Sequence, residues 1–165
     1  MNGPDLEVGR EAVAGLQAHL GESFLGQRLD RGEWTAWVRP GSWEEAARFL
    51  RDSTPFNQFS DLTAVDYLDR EPRFDVVLHL LSHARRSSFR LKAMVTGPPG
   101  PEPLVATLTG LWPGAAWYER ETYDLFGIVF GGHPDLQRLL LPPDYQGHPL
   151  RKDYPVTGPV TSAFR

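Results

Sequence analysis

Cysteine is absent from the 165 residues. That absence excludes disulfides, Cys-ligated iron–sulfur clusters and thiol catalysis within this chain, and a reducing compartment permits it. Basic residues are the minority: 17 Lys and Arg stand against 21 Asp and Glu, for a net charge of −4. A sequence-independent nucleic-acid binder needs the opposite balance to displace counterions, so no nucleic-acid partner is expected. Residues 1–10 hold no apolar run flanked by basic residues, so no signal peptide is expected. The uncharged stretch 94–101 is rich in Gly and Pro and far too short to span a bilayer. Attachment to a membrane would therefore come through other chains. Glycines 97, 100 and those between 127 and 132 match neither G-x-G-x-x-G nor a Walker loop. A G-x-S-x-G nucleophile elbow is also missing.

What remains is the composition of a globular protein, with 41% apolar and 23% charged residues. The length suits one domain that buries roughly 70% of its unfolded surface. Leu6, Val13, Leu16 and Leu20 predict a first helix after Pro4-Asp5, stopped by Gly21. Trp34, Ala36 and Val38 alternate with Thr35, Trp37 and Arg39 as in a strand, and Asp30-Arg31-Gly32 is turn chemistry that pairs it with 27–29. Ser42-Trp43-Glu44-Glu45 has the form of a capping box opening a second helix. Its apolar face is Ala46, Phe49 and Leu50, and Pro55 closes it. Strands follow over 59–68, 74–81 and 88–96, the second apolar enough for both faces to be covered. A helix over 115–126 ends at Gly127. Beyond Gly131, prolines 134, 142, 143, 149, 155 and 159 forbid long helices and central strands. The expected architecture is α+β: a two-layer sandwich with a four- to five-stranded, mostly antiparallel sheet, helices on one face and an extended Pro-rich C-terminal tail. Residues 1–131 form the core, and 132–165 a docking segment within the same single domain.

Two constellations stand out. The first is Trp117-Tyr118-Glu119-Arg120-Glu121-Thr122-Tyr123-Asp124. At about 100° per residue, Ala115, Tyr118, Thr122, Leu125 and Phe126 share a core-facing stripe. Arg120, Glu121, Asp124 and Trp117 fall opposite, with Glu119 at the margin. Three readings stay open: a solvated charged face with an Arg120–Asp124 pair, a partner surface anchored by Trp117, or carboxylate acid/base chemistry. The second constellation is Gly147-His148-Pro149-Leu150-Arg151-Lys152-Asp153-Tyr154-Pro155. It reads as a solvated tail or as a stiff ribbon laid along a partner. His79 and His83 lie about 13 Å apart if both extend along a strand, too far to share a metal. His133 and His148 each stand between Gly and Pro, as loop anchors do, and no further metal ligands of evident spacing accompany them.

These segments resemble the 30-kDa subunit family of respiratory complex I, in bacteria the C subunit of NADH-quinone oxidoreductase. The resemblance rests on Glu119-Arg120-Glu121-x-x-Asp124-Leu125-Phe126-Gly127-Ile128, then Gly132-His133-Pro134-Asp135-Leu136, then the 147–155 segment. Asp61-Leu62-Thr63-Ala64-Val65-Asp66-Tyr67 fits the same pattern. The likeness is strong from about 59 to 155 and weak before. One departure is Gln137, where family members commonly carry a basic residue; Arg138 follows one place later.

The resemblance implies a non-catalytic subunit in the peripheral arm of a proton-pumping, membrane-bound translocase, on the cytoplasmic side of the inner (plasma) membrane. Its partners would be the hydrogenase-large-subunit-like subunit and the small cluster-bearing subunit beside it. FMN, iron–sulfur clusters, NADH and quinone would belong to the complex, with none held by this chain. Many relatives extend further along their partner, so a shorter contact is implied here. The expected interface comprises Trp117, Arg120, Glu121, Asp124, His133, His148, Arg151, Lys152 and Asp153. The equivalent subunit of a membrane-bound hydrogenase or a ferredoxin-linked quinone oxidoreductase is the alternative. A free-standing hydrolase using Glu119 and Glu121 and a generic binding module are the other rivals.

Overall fold

The computed structural model describes residues 4–158; residues 159–165 of the expected docking segment lie outside the described residues. Helix α1 (Pro4–Leu20) buries Val8, Ala12, Val13 and Leu16, one stripe at helical spacing, and ends at Gly21 with φ +54°. Strands β1 (Phe24–Asp30) and β2 (Glu33–Val38) form the expected hairpin. Arg31 and Gly32 both have positive φ, the backbone that matches the twist of two paired strands. Helix α2 (Trp43–Ser53) buries Trp43, Ala46, Ala47 and Leu50.

The capping box is not made. Ser42 closes a 3₁₀ turn over Pro40–Ser42 and sits at φ −107°, ψ 12°, outside the extended backbone an N-cap needs, so its side chain caps nothing. Glu44 bonds Arg48 instead, and Glu45 pairs with His19 of α1 at 3.1 Å.

Strands β3 (Gln58–Asp66), β4 (Phe74–Ser82) and β5 (Ser87–Val95) follow as an antiparallel meander. The five-stranded sheet has order β1-β2-β5-β4-β3, with β2 and β5 parallel and the other pairings antiparallel. This is the α+β class expected. Register places Ala36, Leu91, Leu78 and Leu62 in one row across four strands, all at 1% exposure or less. That face meets α1 and α2 and forms the core.

The apolar pattern of β4 predicts cover on its second face as well. Val77 is buried, but its strand neighbours Thr63 and Lys92 flank it, and charge pairs cross this face where a second helical layer would lie. Asp75 bonds Arg70 and Lys92; Glu33 bonds Arg90. Lys92 also lies over the Trp37 ring at 5.6 Å, its stem covering apolar surface.

A short parallel ribbon of β6 (Leu104–Ala106) and β7 (Val129–Gly131) brackets α3 (Ala115–Phe126). It buries Val105 and Phe130 in the same core. Helix α3 runs along edge strand β3, where Phe59 meets Tyr118 edge-on at 5.2 Å. None of the described helices is long and apolar enough to cross a membrane.

Gly9 gives a test of the α1–sheet packing. Alanine in a helix interior normally gains about 1 kcal/mol over glycine. Here a Cβ would collide with Trp34 Cδ1, and the indole is held by its Nε1–H bond to Leu6 O at 3.0 Å. Gly9→Ala is therefore expected to destabilise by about 1–3 kcal/mol. Gly110→Ala, with nothing within 4 Å, should be close to neutral. Thermal melts of the two variants check the sign.

Candidate partner-docking site

The last four carbonyls of an α-helix have no partner inside it. Helix α3 meets this need with the tail. Gly127, in the left-handed conformation at φ +71°, returns its N–H to Tyr123 O at 2.8 Å. The His148 ring Nδ1 lies 2.9 Å from Asp124 O, and Leu150 N–H donates to Leu125 O at 3.1 Å. Arg151 Nε donates to Phe126 O at 2.5 Å and its Nη2 to Gly127 O at 3.3 Å. Cations at a helix C-terminus also complement its dipole. Gly127 is required twice over, since a Cβ there would collide with Arg151 Nη2 and lie 2.6 Å from His148 Nε2.

Asp124 anchors the same junction. It is fully buried, not solvated as the helical wheel suggests. Its Oδ2 accepts the N–H groups of Leu139, Leu140 and Leu141 at 3.0, 2.8 and 2.9 Å, while Oδ1 accepts Arg138 Nη1 at 2.6 Å. The wheel fails because the tail folds over this face and converts it to interior. Burial pushes the Asp124 carboxyl up, but the amide of Leu141, the Arg138 guanidinium and the amides of Leu140 and Leu139 outweigh it and hold it below the usual range. The Arg120–Asp124 pair of the solvated-face reading is not made: Arg120 donates to the carbonyls of Gln137 and Arg138, each at 3.2 Å. Arg138, one place beyond the usual basic position, takes the carboxylate.

A second anchor ties the tail to the sheet. Arg73 grips Asp66 with two 2.7 Å bonds and reaches Asp153 and Pro98 O at 2.9 Å. Lys152 N–H donates to Asp66 Oδ2 at 2.7 Å. Burial raises the Asp66 carboxyl, and Arg73 with the Lys152 amide reverses the shift, leaving it low; Arg73 likewise lowers Asp153. Such a two-pronged pair is the strong form of the charge-assisted bond.

A third buried carboxylate lies beneath α3. Glu119 is fully buried; Leu108 N–H donates to Oε1 at 2.6 Å and Thr107 Oγ1 to Oε2 at 2.5 Å. Burial raises its carboxyl to about 7, partly countered by those two donors. His133, with 1% of its side chain exposed, accepts Asp135 N–H at Nδ1 (3.0 Å), so Nε2 carries the proton and donates to Ala116 O at 3.2 Å.

The nine expected interface residues thus divide. Asp124, His133, His148 and Arg151 are engaged within the chain, and the described ribbon lies along its own core. Asp153 is half-exposed and held by Arg73, while Arg120 bonds the ribbon and lies 5.2 Å from the Trp117 ring. Trp117 is 59% exposed; Glu121 and Lys152 are exposed too. Glu119 and Glu121 point to different environments, one interior and one solvent. Asp66, Arg73 and Arg138 lie outside the expected set. Asp66 does carry a signal: it falls in phase with Leu62 and Ala64, on the core-facing side of β3.

The family described as the 30-kDa subunit of the respiratory-chain NADH dehydrogenase matches residues 36–160. The chain belongs to this 30-kDa subunit family. A relative from Roseiflexus sp. (strain RS-1), named as the C subunit of NADH-quinone oxidoreductase, is 51% identical over 143 residues, covering 86% of this chain and 80% of that protein. One of the same name from Geotalea uraniireducens is 42% identical over 161 residues, 98% and 96% of the two chains. The solved trypsin-resistant fragment (1–134) of Nqo5 superposes with a TM-score of 0.65 at 30% identity, over 77% of this chain and 98% of that one. A chain of the membrane-bound sulfane sulfur reductase, an archaeal respiratory membrane complex, shares the fold with a TM-score of 0.76 at 22% identity, over 90% and 86%. Every anchor described above lies within the region matched to the 30-kDa subunit family.

Asp124→Asn leaves the partly buried Arg138 without its counter-charge and weakens the acceptor of three amides, and is expected to cost about 3 kcal/mol. Folding holds Asp124 and Asp66 below the ordinary Asp value of about 3.9. Their stabilisation is therefore complete above that value and is lost as pH falls through their folded-state values. Denaturant melts at neutral and acid pH should show a large wild-type loss in acid and a smaller one for Asp124→Asn.

Proposed function

We propose that this chain is a non-catalytic structural subunit of the peripheral arm of a proton-pumping NADH-quinone oxidoreductase. It docks against the hydrogenase-large-subunit-like subunit at the quinone site and beside the small cluster-bearing subunit. This arm of the complex lies on the cytoplasmic side of the plasma membrane. The observation that carries this reading is the family match across residues 36–160, which takes in both motif segments. Without cysteine the chain offers no thiolate to a cluster. Among the described residues, no three His, Asp or Glu side chains converge as a metal site would need. FMN, iron–sulfur clusters, NADH and quinone are assigned to the rest of the complex.

The docking surface we assign is the exposed remainder of the motif region: Trp117 with Arg120, Glu121, Lys152 and the outer edge of Asp153. A large exposed aromatic beside fixed charges is typical of the energetic centre of an interface. The equivalent subunit of a hydrogenase or ferredoxin-linked complex is distinguished by the electron donor of the purified assembly.

A tagged chain drawn from detergent-solubilised membranes should bring flavin- and cluster-bearing chains with it, and the preparation should oxidise NADH. Trp117→Ala is expected to cut that recovery about tenfold while leaving the melting point of the isolated chain unchanged, as loss of an interface anchor does. Recovery of the wild-type chain alone would remove the proposal.

A further inference from the structure

Among the described residues, Glu119 is the buried carboxylate that no lysine or arginine contacts; Asp75, also buried, is held by Arg70 and Lys92. Asp66 and Asp124 each face a guanidinium; Glu119 faces none. Its two oxygens meet one amide and one hydroxyl, and His133 Nε2 lies 4.0 Å from Oε2. That ring is already committed as a donor to Ala116 O, with its other nitrogen accepting from Asp135. The 107–109 turn, the other segment packed on Glu119, contributes no ionisable side chain. An anion at this point is therefore compensated by two hydrogen bonds and by no full charge.

The hydroxyl next to it is set up for either protonation state. Thr107 Oγ1 lies 2.5 Å from Glu119 Oε2 and 3.0 Å from Thr109 Oγ1, and it accepts Thr109 N–H at 3.2 Å. A threonine hydroxyl has one hydrogen to donate and two lone pairs. With Glu119 ionised, Thr107 donates to the carboxylate and accepts from Thr109 N–H and Thr109 O–H. With Glu119 protonated, the carboxyl donates to Thr107, which keeps the Thr109 N–H and turns its own hydrogen onto Thr109 Oγ1. Both arrangements satisfy the hydroxyl in full without moving a heavy atom. Thr107 and Thr109 are both partly exposed residues, so the hydroxyl pair stands between the buried carboxyl and the surface.

We propose that Glu119 is a reversible proton-binding site, served by the Thr107–Thr109 hydroxyl pair. Uptake takes one proton from a solvent acid, forms the Oε2–H bond and leaves the conjugate base in solvent; release runs the reverse. Protonation relieves the buried charge. The folded carboxyl stands at about 7 and the unfolded one near the ordinary Glu value of 4.5, so the folded state holds the extra proton between them. This contribution to stability is complete below the lower value and declines as pH rises through about 7.

The test is a carbon-13 titration of the full chain labelled at the glutamate side-chain carboxyls. One Glu resonance is expected to titrate near neutral pH and to be missing in Glu119→Gln. Thr107→Val removes the donor to the ionised form and should raise that midpoint by at least one pH unit. Thr107→Ser restores the hydroxyl and should bring it back. If every Glu titrates below pH 5.5, Glu119 is permanently ionised and the site does not exist. An unchanged midpoint in Thr107→Val would remove the hydroxyl pair from it. If Glu119→Gln fails to fold, the Val and Ser variants at 107 decide alone.

Discussion

Helix α3 ends inside the protein, and its carbonyls need donors there. The segment that follows is poor in donors of its own, because proline has no N–H. The chain resolves this with side chains: His148 and Arg151 provide what a regular backbone would otherwise supply. Asp124 meets the reciprocal need, accepting three consecutive N–H groups from a stretch too irregular to satisfy them in a ladder. The helix end and the ribbon are thus one hydrogen-bonded unit. The density of charged residues in both motifs follows from that mutual dependence before any partner is considered.

This changes what the motifs say about docking. Charged residues between prolines suggest a strip turned outward, yet several of them close the chain on itself. The outward-facing part of the assigned surface is the Trp117 indole, the Glu121 carboxylate, Lys152 and the outer edge of Asp153, beside an arginine that bonds the ribbon. A surface assembled on such a rigid base loses little conformational freedom on association, which favours binding without extensive contact area.

Much of the fold is legible in the sequence. Alternation locates β2, β4 and β5, because one face of each strand is core. Gly127 fixes the end of α3, because only its backbone tolerates the turn. The Asp-Arg-Gly turn announces the β1–β2 hairpin. The misses have a common cause. A helical wheel carries no knowledge of what folds over the far side, so it places Asp124 and Glu119 too near solvent. Ser42 has the residue type of a cap but not the backbone, which the 3₁₀ turn before it has already set. Arg73 and Arg138 lie just outside regular elements, where no periodicity marks a buried or half-buried cation. The pairing of β2 with β5 joins segments more than fifty residues apart, and neither carries the name of its neighbour.

That parallel seam has a consequence for how the chain assembles. The hairpin and the β3–β4–β5 meander are each built from contacts between near neighbours in sequence, the kind that close quickly. The seam, the docking of α3 on β3 and the tail ribbon require distant segments to meet, and all three bear a larger loop-closure cost. Within the sheet, the hairpin and the meander are therefore two locally encoded units joined along the β2–β5 line. Hydrogen exchange from the native state reports the opening of that line separately from the melting of either unit.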